Sequence, residues 1–166
     1  MLMIHPIKTY PDRVLREKAK EVPRVTDEIN RLCKDMIETM CAANGVGLAA
    51  NQIGLSLRII TLETGSEKAS SPLAVVNPEI VRLEGEEAGE EGCLSIPGFY
   101  EAVKRAQRVV LRGIDIEGKE LRIECTGLLA RACQHEVDHL NGILFVDHLS
   151  PVKKQLFKRE YAKEKK

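Results

Sequence analysis

The chain has 166 residues, 43% of them hydrophobic and 30% charged, the size and balance of one globular domain with its own core. Lys+Arg and Asp+Glu both number 25, for a formal net charge of +0, so the whole-molecule positive field of a protein that coats nucleic acid is missing. No stretch approaches the roughly 18 consecutive apolar residues of a membrane span, and aromatics make up 4% with no Trp, a poor supply for stacking single-stranded bases.

The opening MLMIHPIKTYPDRVL lacks the basic region and apolar run of a secretory signal, which predicts a cytosolic protein. Five cysteines (33, 41, 93, 125, 133) form no disulfide-like framework; in a reducing compartment they read as buried hydrophobes or metal ligands. From Asp27 to Cys41 the apolar residues fall at Ile29, Leu32, Cys33, Met36, Ile37, Met40 and Cys41. This is the period of an amphipathic helix, with Thr26 as N-cap, Asn44-Gly45 as its stop, and Cys33 and Cys41 in the core. Directly after it, Gly45-Val46-Gly47-Leu48-Ala49-Ala50-Asn51-Gln52 carries little side-chain bulk. Another backbone could approach and pair with this stretch as an added strand, and the Gln52 amide could donate to an oxyanion.

Branched runs at Leu57–Leu62, Leu73–Val76, Ile80–Leu83, Val109–Ile116 and Glu120–Cys125 predict strands, the last two joined by a turn at Glu117-Gly118-Lys119. The acidic Glu84–Gly92 (EGEEAGEEG) reads as a solvated loop, with Gly92 and Pro97 marking irregular backbone around Cys93. A second helix is predicted over Gly127–Leu140, capped by Thr126 and ended by Asn141-Gly142. A third starts at Ser150-Pro151. Strands separate the first two helices without regular βαβ alternation, so the fold class is α+β, with residues 1–166 as one domain and 151–166 as a basic C-terminal helix. Those last residues hold seven Lys/Arg against two Glu, a net of +5, leaving −5 on the body. Val152, Leu156 and Tyr161 supply its apolar side.

The most informative stretch is Gln134-His135-Glu136-Val137-Asp138-His139-Leu140-Asn141-Gly142. Histidines at i and i+4 project from one helix face, so both imidazoles can reach a single ion, and Glu136 stands where a carboxylate can accept a proton from metal-bound water. HExxH supplies two ligands and a catalytic site needs a third. Phe145 stands where the pattern HExxHxxGxxH places its third histidine. Glu160, Glu164 and His148 are within chain reach, and Glu160 would make a thermolysin-like peptidase. A closed Cys/His zinc module binding RNA through the tail is a non-enzymatic alternative. Cys93, in Glu91-Gly92-Cys93-Leu94-Ser95, is the better candidate, because its irregular loop could bring a thiolate and a free N–H group to a ligand.

Taken in order, GVGLAANQ, EGCLS and QHEVDHLNG closely resemble the three signature motifs of peptide deformylases. The resemblance runs from the early YPDRVL segment through Gly142. It implies antiparallel strands around a central helix carrying HExxH, and a cytosolic enzyme that removes the N-formyl group from N-formylmethionyl nascent peptides, releasing formate. Carried over by position, Cys93, His135 and His139 would bind one divalent metal ion, commonly Fe²⁺ and in some members Zn²⁺. Glu136 would shuttle the proton, and Gln52 with the Leu94 N–H would stabilise the oxyanion. Val46 and Gly47 would pair with the substrate backbone, and Val46 and Leu128 would line the methionine pocket. Some members carry an arginine a few residues after EGCLS; here Gly98-Phe99-Tyr100 stands in that stretch. A basic amphipathic tail also predicts contact with ribosomal RNA phosphates.

Overall fold

A computed structural model describes residues 2–66 and 68–164. The first helix, α1 (Asp27–Ala42), begins where Thr26 caps it by accepting the Ile29 N–H, 3.2 Å away. Cys33, Met36 and Met40 form its buried face. Cys41, expected in the core, is exposed, because at 100° per residue it sits about 80° around the helix from Cys33.

Among the described residues seven strands follow: β1 (Gly47–Ala49), β2 (Ile59–Glu63), β3 (Pro72–Glu84), β4 (Glu87–Cys93), β5 (Ile96–Arg105), β6 (Arg108–Ile114) and β7 (Glu120–Thr126). Five pair antiparallel in the order β1-β2-β3-β6-β7, while β4 and β5 form a separate two-stranded sheet. The two runs expected on either side of Pro78 are one strand. β3 continues through register shifts at Val76/Glu79 and Ile80/Arg82, the bulge that lets proline sit inside a sheet. Asn77 there has a φ of 52° and exchanges two 2.8 Å hydrogen bonds with the Val22 backbone. The turn after β6 is held by Asp115 Oδ1, which accepts from the N–H groups of Glu117 and Lys119.

The acidic segment is not a solvated loop. Residues Glu87–Cys93 are the paired strand β4, and the irregularity expected near Gly92 is a register shift between Glu91 and Cys93. Glu91 is 5% exposed and ion-paired with Arg105 and Arg131, so the charge that seemed to require water is neutralised by two distant arginines.

Helix α2 (Gly127–Leu140) lies at the centre, its inner face made of Ala130, Ala132, Cys133, Gln134, His135, Glu136, His139 and Leu140. Thr126 precedes it without a side-chain capping bond, and Gly142 ends it at a φ of 74°. Ala130, Ala132, Cys133 and Leu140 pack with Ile60, Leu62, Val75 and Leu111 of the five-stranded sheet. Helix α3 (Pro151–Glu164) docks through Phe157 and Tyr161, whereas Val152 is 68% and Leu156 46% exposed. The expected apolar side of Val152, Leu156 and Tyr161 is thus corrected. Nine residues of helix put Val152 opposite Tyr161, and Phe157, one turn before Tyr161, completes the docking face. Lys165 and Lys166 of the basic tail lie outside the described residues.

Candidate active site

His135 and His139, one turn apart on α2, point their Nε2 atoms at each other across 3.1 Å. Cys93, the last residue of β4, brings its Sγ to 3.3 Å from His139 Nε2. Sulfur and the two ring nitrogens all lie within 4.8 Å of one another. Among the described residues this is the one cluster able to hold a metal ion. Glu160 is exposed on α3, and His148 is bound instead to Asp138, 2.9 Å away. Neither joins the cluster, so the third-ligand routes through them are closed.

The donors fit a divalent ion. His135 Nδ1 is 2.9 Å from Glu91 Oε1, and that carboxyl sits at about 2: burial would raise it, but hydrogen bonds from His135 and Arg105 prevail. An ionised carboxylate only accepts, so Nδ1 carries a hydrogen and Nε2 is the ring atom that faces the cluster. Burial would lower the His135 pKa, yet Glu136, Cys93 and Glu91 hold it well above the ordinary value. Burial and the facing His135 hold His139 well below. Two imidazole nitrogens and a sulfur therefore converge on one point, the arrangement a cation fills. One thiolate and two imidazoles suit iron or zinc better than magnesium or calcium.

Glu136 follows His135 and is 4% exposed, with Oε1 free of protein partners. Burial pushes its pKa up to about 7. Its carboxylate lies against the backbone of β1. A Cβ on Gly47 would sit 2.5 Å from Glu136 Oε2, so the glycine expected to admit a substrate backbone also admits the carboxylate. Gln52, 1% exposed, is fixed at both ends: Oε1 accepts from the Ala49 N–H at 2.9 Å, and Nε2 donates to Ser95 Oγ at 3.1 Å and towards Cys93 Sγ at 3.7 Å. Its neighbour Asn51 donates to the carbonyl of His139 at 2.7 Å, tying this motif to the helix.

A cavity of about 390 Å³ opens over Gln52, Cys93, Leu94, His135 and Glu136. Val46, Gly47 and Leu128 border it, with Leu128 65% and Val46 43% exposed at the rim. β1 is an edge strand, paired with β2 on one side only, which leaves a ladder free for an extended peptide. Eight of the nine residues singled out in the sequence line this one opening, and the ninth, His139, is fully buried behind it against Cys93 and His135. Tyr100, from the Gly98-Phe99-Tyr100 stretch, also lines it and covers Gly92.

Sequence reasoning missed Glu91, Ser95, Arg105 and Arg131. A signal for Glu91 was available, since residues two apart on a strand share a face and Glu91 precedes Cys93 by two.

Residues 4–155 match the polypeptide deformylase family. The chain is 48% identical to a peptide deformylase of Thermodesulfovibrio yellowstonii over 99% of its own length and 100% of the relative's. It is 49% identical to one of Alkalilimnicola ehrlichii, over 98% and 91%. A crystal structure of a peptide deformylase from Legionella pneumophila superposes with a TM-score of 0.90 at 46% identity, covering 98% of this chain and 95% of that one. One from Ehrlichia chaffeensis in complex with actinonin gives 0.89 at 38%, covering 99% and 98%. With near-complete coverage in every direction and the thiol, the histidine pair and the buried glutamate at one opening, the chain belongs to the polypeptide deformylase family.

Proposed function

We infer that this chain, as one catalytic domain, is a metal-dependent hydrolase that removes the N-formyl group from N-formylmethionyl nascent peptides, releasing formate. The observation that carries this reading is the convergence of the Cys93 sulfur and two histidine Nε2 atoms beside a buried glutamate, below an open strand edge.

Cys93, His135 and His139 would hold one divalent ion, whose Lewis acidity would polarise the formyl carbonyl and acidify a water. Fe²⁺ is the first candidate and Zn²⁺ the second; a soft sulfur in the donor set supports both. Glu136 takes a proton from the attacking water and returns it to the leaving amine nitrogen, which departs only when protonated. Burial raises its pKa in the metal-free site, and a cation alongside would draw it back towards the carboxylate that accepts the proton. The Gln52 Nε2 and the Leu94 N–H donate to the oxygen as it becomes an oxyanion. Val46, just before β1, and Gly47 at its start pair with the substrate backbone, and Val46 with Leu128 take the methionine side chain.

Two finer points belong to the same reading. Among the described residues no helix is long and apolar enough to cross a membrane, which is in keeping with action in the cytosol. The exposed Lys158 and Arg159 of α3 suit a salt-sensitive contact with ribosomal RNA phosphates.

The test is to incubate anaerobically purified protein with a formyl-Met peptide while measuring formate and bound metal. Formate release is expected in proportion to metal. Metal-loaded protein that leaves the formyl peptide intact would overturn the reading.

A further inference from the structure

Arg131, Gln134, His135 and Asp138 fall at i, i+3, i+4 and i+7 of α2 and so share one helix face. Each grips the β4–β5 hairpin or the residue that leaves it. Gln134 accepts from the Ala106 N–H at 2.9 Å and donates to the Ala106 carbonyl at 3.0 Å. His135 meets Glu91, and Asp138 accepts from Arg105 at 2.7 Å. Among the described residues the hairpin shares no ladder with the five-stranded sheet. Side chains must therefore set the distance between Cys93, which it carries, and the histidines of the helix.

Arg131 grips both strands at once. Its Nη1 donates to Glu91 Oε2 at 2.7 Å and to the Val103 carbonyl at 2.8 Å, and its Nη2 donates to the Glu87 carbonyl at 2.9 Å. The guanidinium lies across Gly89, where a Cβ would be 2.9 Å from Nη2 and 3.0 Å from Cζ. We propose that Arg131, seated on Gly89, is the positioning residue that locks the hairpin to α2 and thereby fixes Cys93 Sγ against the two imidazoles. The fork geometry is essential to this role, because a lysine offers one point charge where three acceptors lie apart. The proposal rests on Cys93 and the histidines being the metal ligands.

The test uses the full chain loaded with Co²⁺, reading the thiolate-to-cobalt charge-transfer band, the rate of cobalt loss to excess chelator, and the melting temperature. Arg131→Met and Arg131→Lys are expected to weaken cobalt retention roughly 10- to 100-fold, the effect of losing a group that orients a ligand, and to alter the charge-transfer band. Gly89→Ala should act in the same direction. In the double variant Arg131→Met/Gly89→Ala it should add little, since the three atoms nearest such a methyl all belong to the guanidinium. Arg112→Met, which removes an exposed ion pair with Glu79, should leave band and retention as in the wild type.

A merely structural arginine would lower the melting temperature and leave spectrum and retention unchanged; that result overturns the proposal. If Arg131→Met does not fold, unchanged cobalt retention in Gly89→Ala overturns it equally. A wild-type protein without a thiolate-to-cobalt band would instead refute Cys93 as a ligand, and the proposal would fall with it.

Discussion

Replacing Glu136 by glutamine separates proton transfer from every other role at the site. The side chain keeps its size, so its contact with Gly47 and the packing of α2 are preserved. It cannot take up a proton. Turnover should fall by the factor of about 10²–10⁴ that general acid–base catalysis supplies, or roughly 3–5 kcal/mol of barrier, with metal content unchanged. The metal-free protein should respond with the opposite sign. Burial raises the Glu136 carboxyl from its ordinary 4.5 to about 7, so between those values the folded state binds more protons than the unfolded one. That linkage makes stability fall as pH rises through the interval, by on the order of 3 kcal/mol. Glutamine removes the penalty, so metal-free Glu136→Gln should be more stable than wild type by about that amount at pH 8, with the difference vanishing below about pH 4.5. Formate release per bound metal and chelated-protein denaturation at the two pH values are the assays. Wild-type turnover per metal would refute the proton-transfer role, and metal loss in proportion to activity would make Glu136 a ligand instead.

Cys93→Ala deletes the charged donor and leaves two imidazoles, so metal and formate release should vanish together; stoichiometric metal with full activity would remove Cys93 from the ligand set. Gln52→Ala should cost about 3–4 kcal/mol of barrier at near-normal metal content if its amide is a full oxyanion donor, read as turnover per metal. For the tail, Lys158→Glu/Arg159→Glu should weaken co-sedimentation with ribosomes at low salt and spare peptide turnover, and unchanged co-sedimentation would end that idea. Deleting 151–166 is the wrong perturbation, since it strips Phe157 and Tyr161 from the core. Phe157→Ala alone should cost about 3–5 kcal/mol, measured by denaturant unfolding.

The helix bearing the histidines was legible because its spacing is local: i and i+4 on one face follows from helical pitch whatever surrounds it. The same holds for Gly47 and Cys93, whose neighbours dictate small bulk and a turn. What local pattern could not show was long-range compensation. EGEEAGEEG has the composition of a hydrated loop until Arg105 and Arg131 arrive from elsewhere in the chain to neutralise Glu91. Leu73–Val76 and Ile80–Leu83 read as two separate branched runs, yet one strand crosses Pro78 through the bulge at Asn77, which bonds by its side chain to Val22. In α3 the apolar residues do not fall in one stripe, so only tertiary packing decides that Phe157 and Tyr161 turn inward.

The rings of Tyr10, Phe99, Phe157 and Tyr161 meet in one cluster: Tyr10 is 5.3 Å from Phe157 and 5.5 Å from Tyr161, and Phe99 is 4.8 Å from Phe157, centroid to centroid. Tyr10 also donates its N–H to the Ser95 carbonyl, at the turn that follows Cys93. During synthesis, the hairpin and both histidines leave the ribosome before the aromatic pair that buttresses this turn. Closure of the site is thus coupled to contacts between residues far apart in the chain, the kind that form slowly. Order at the turn beside Cys93 then depends on Phe157 and Tyr161, residues of a helix that does not itself line the cavity.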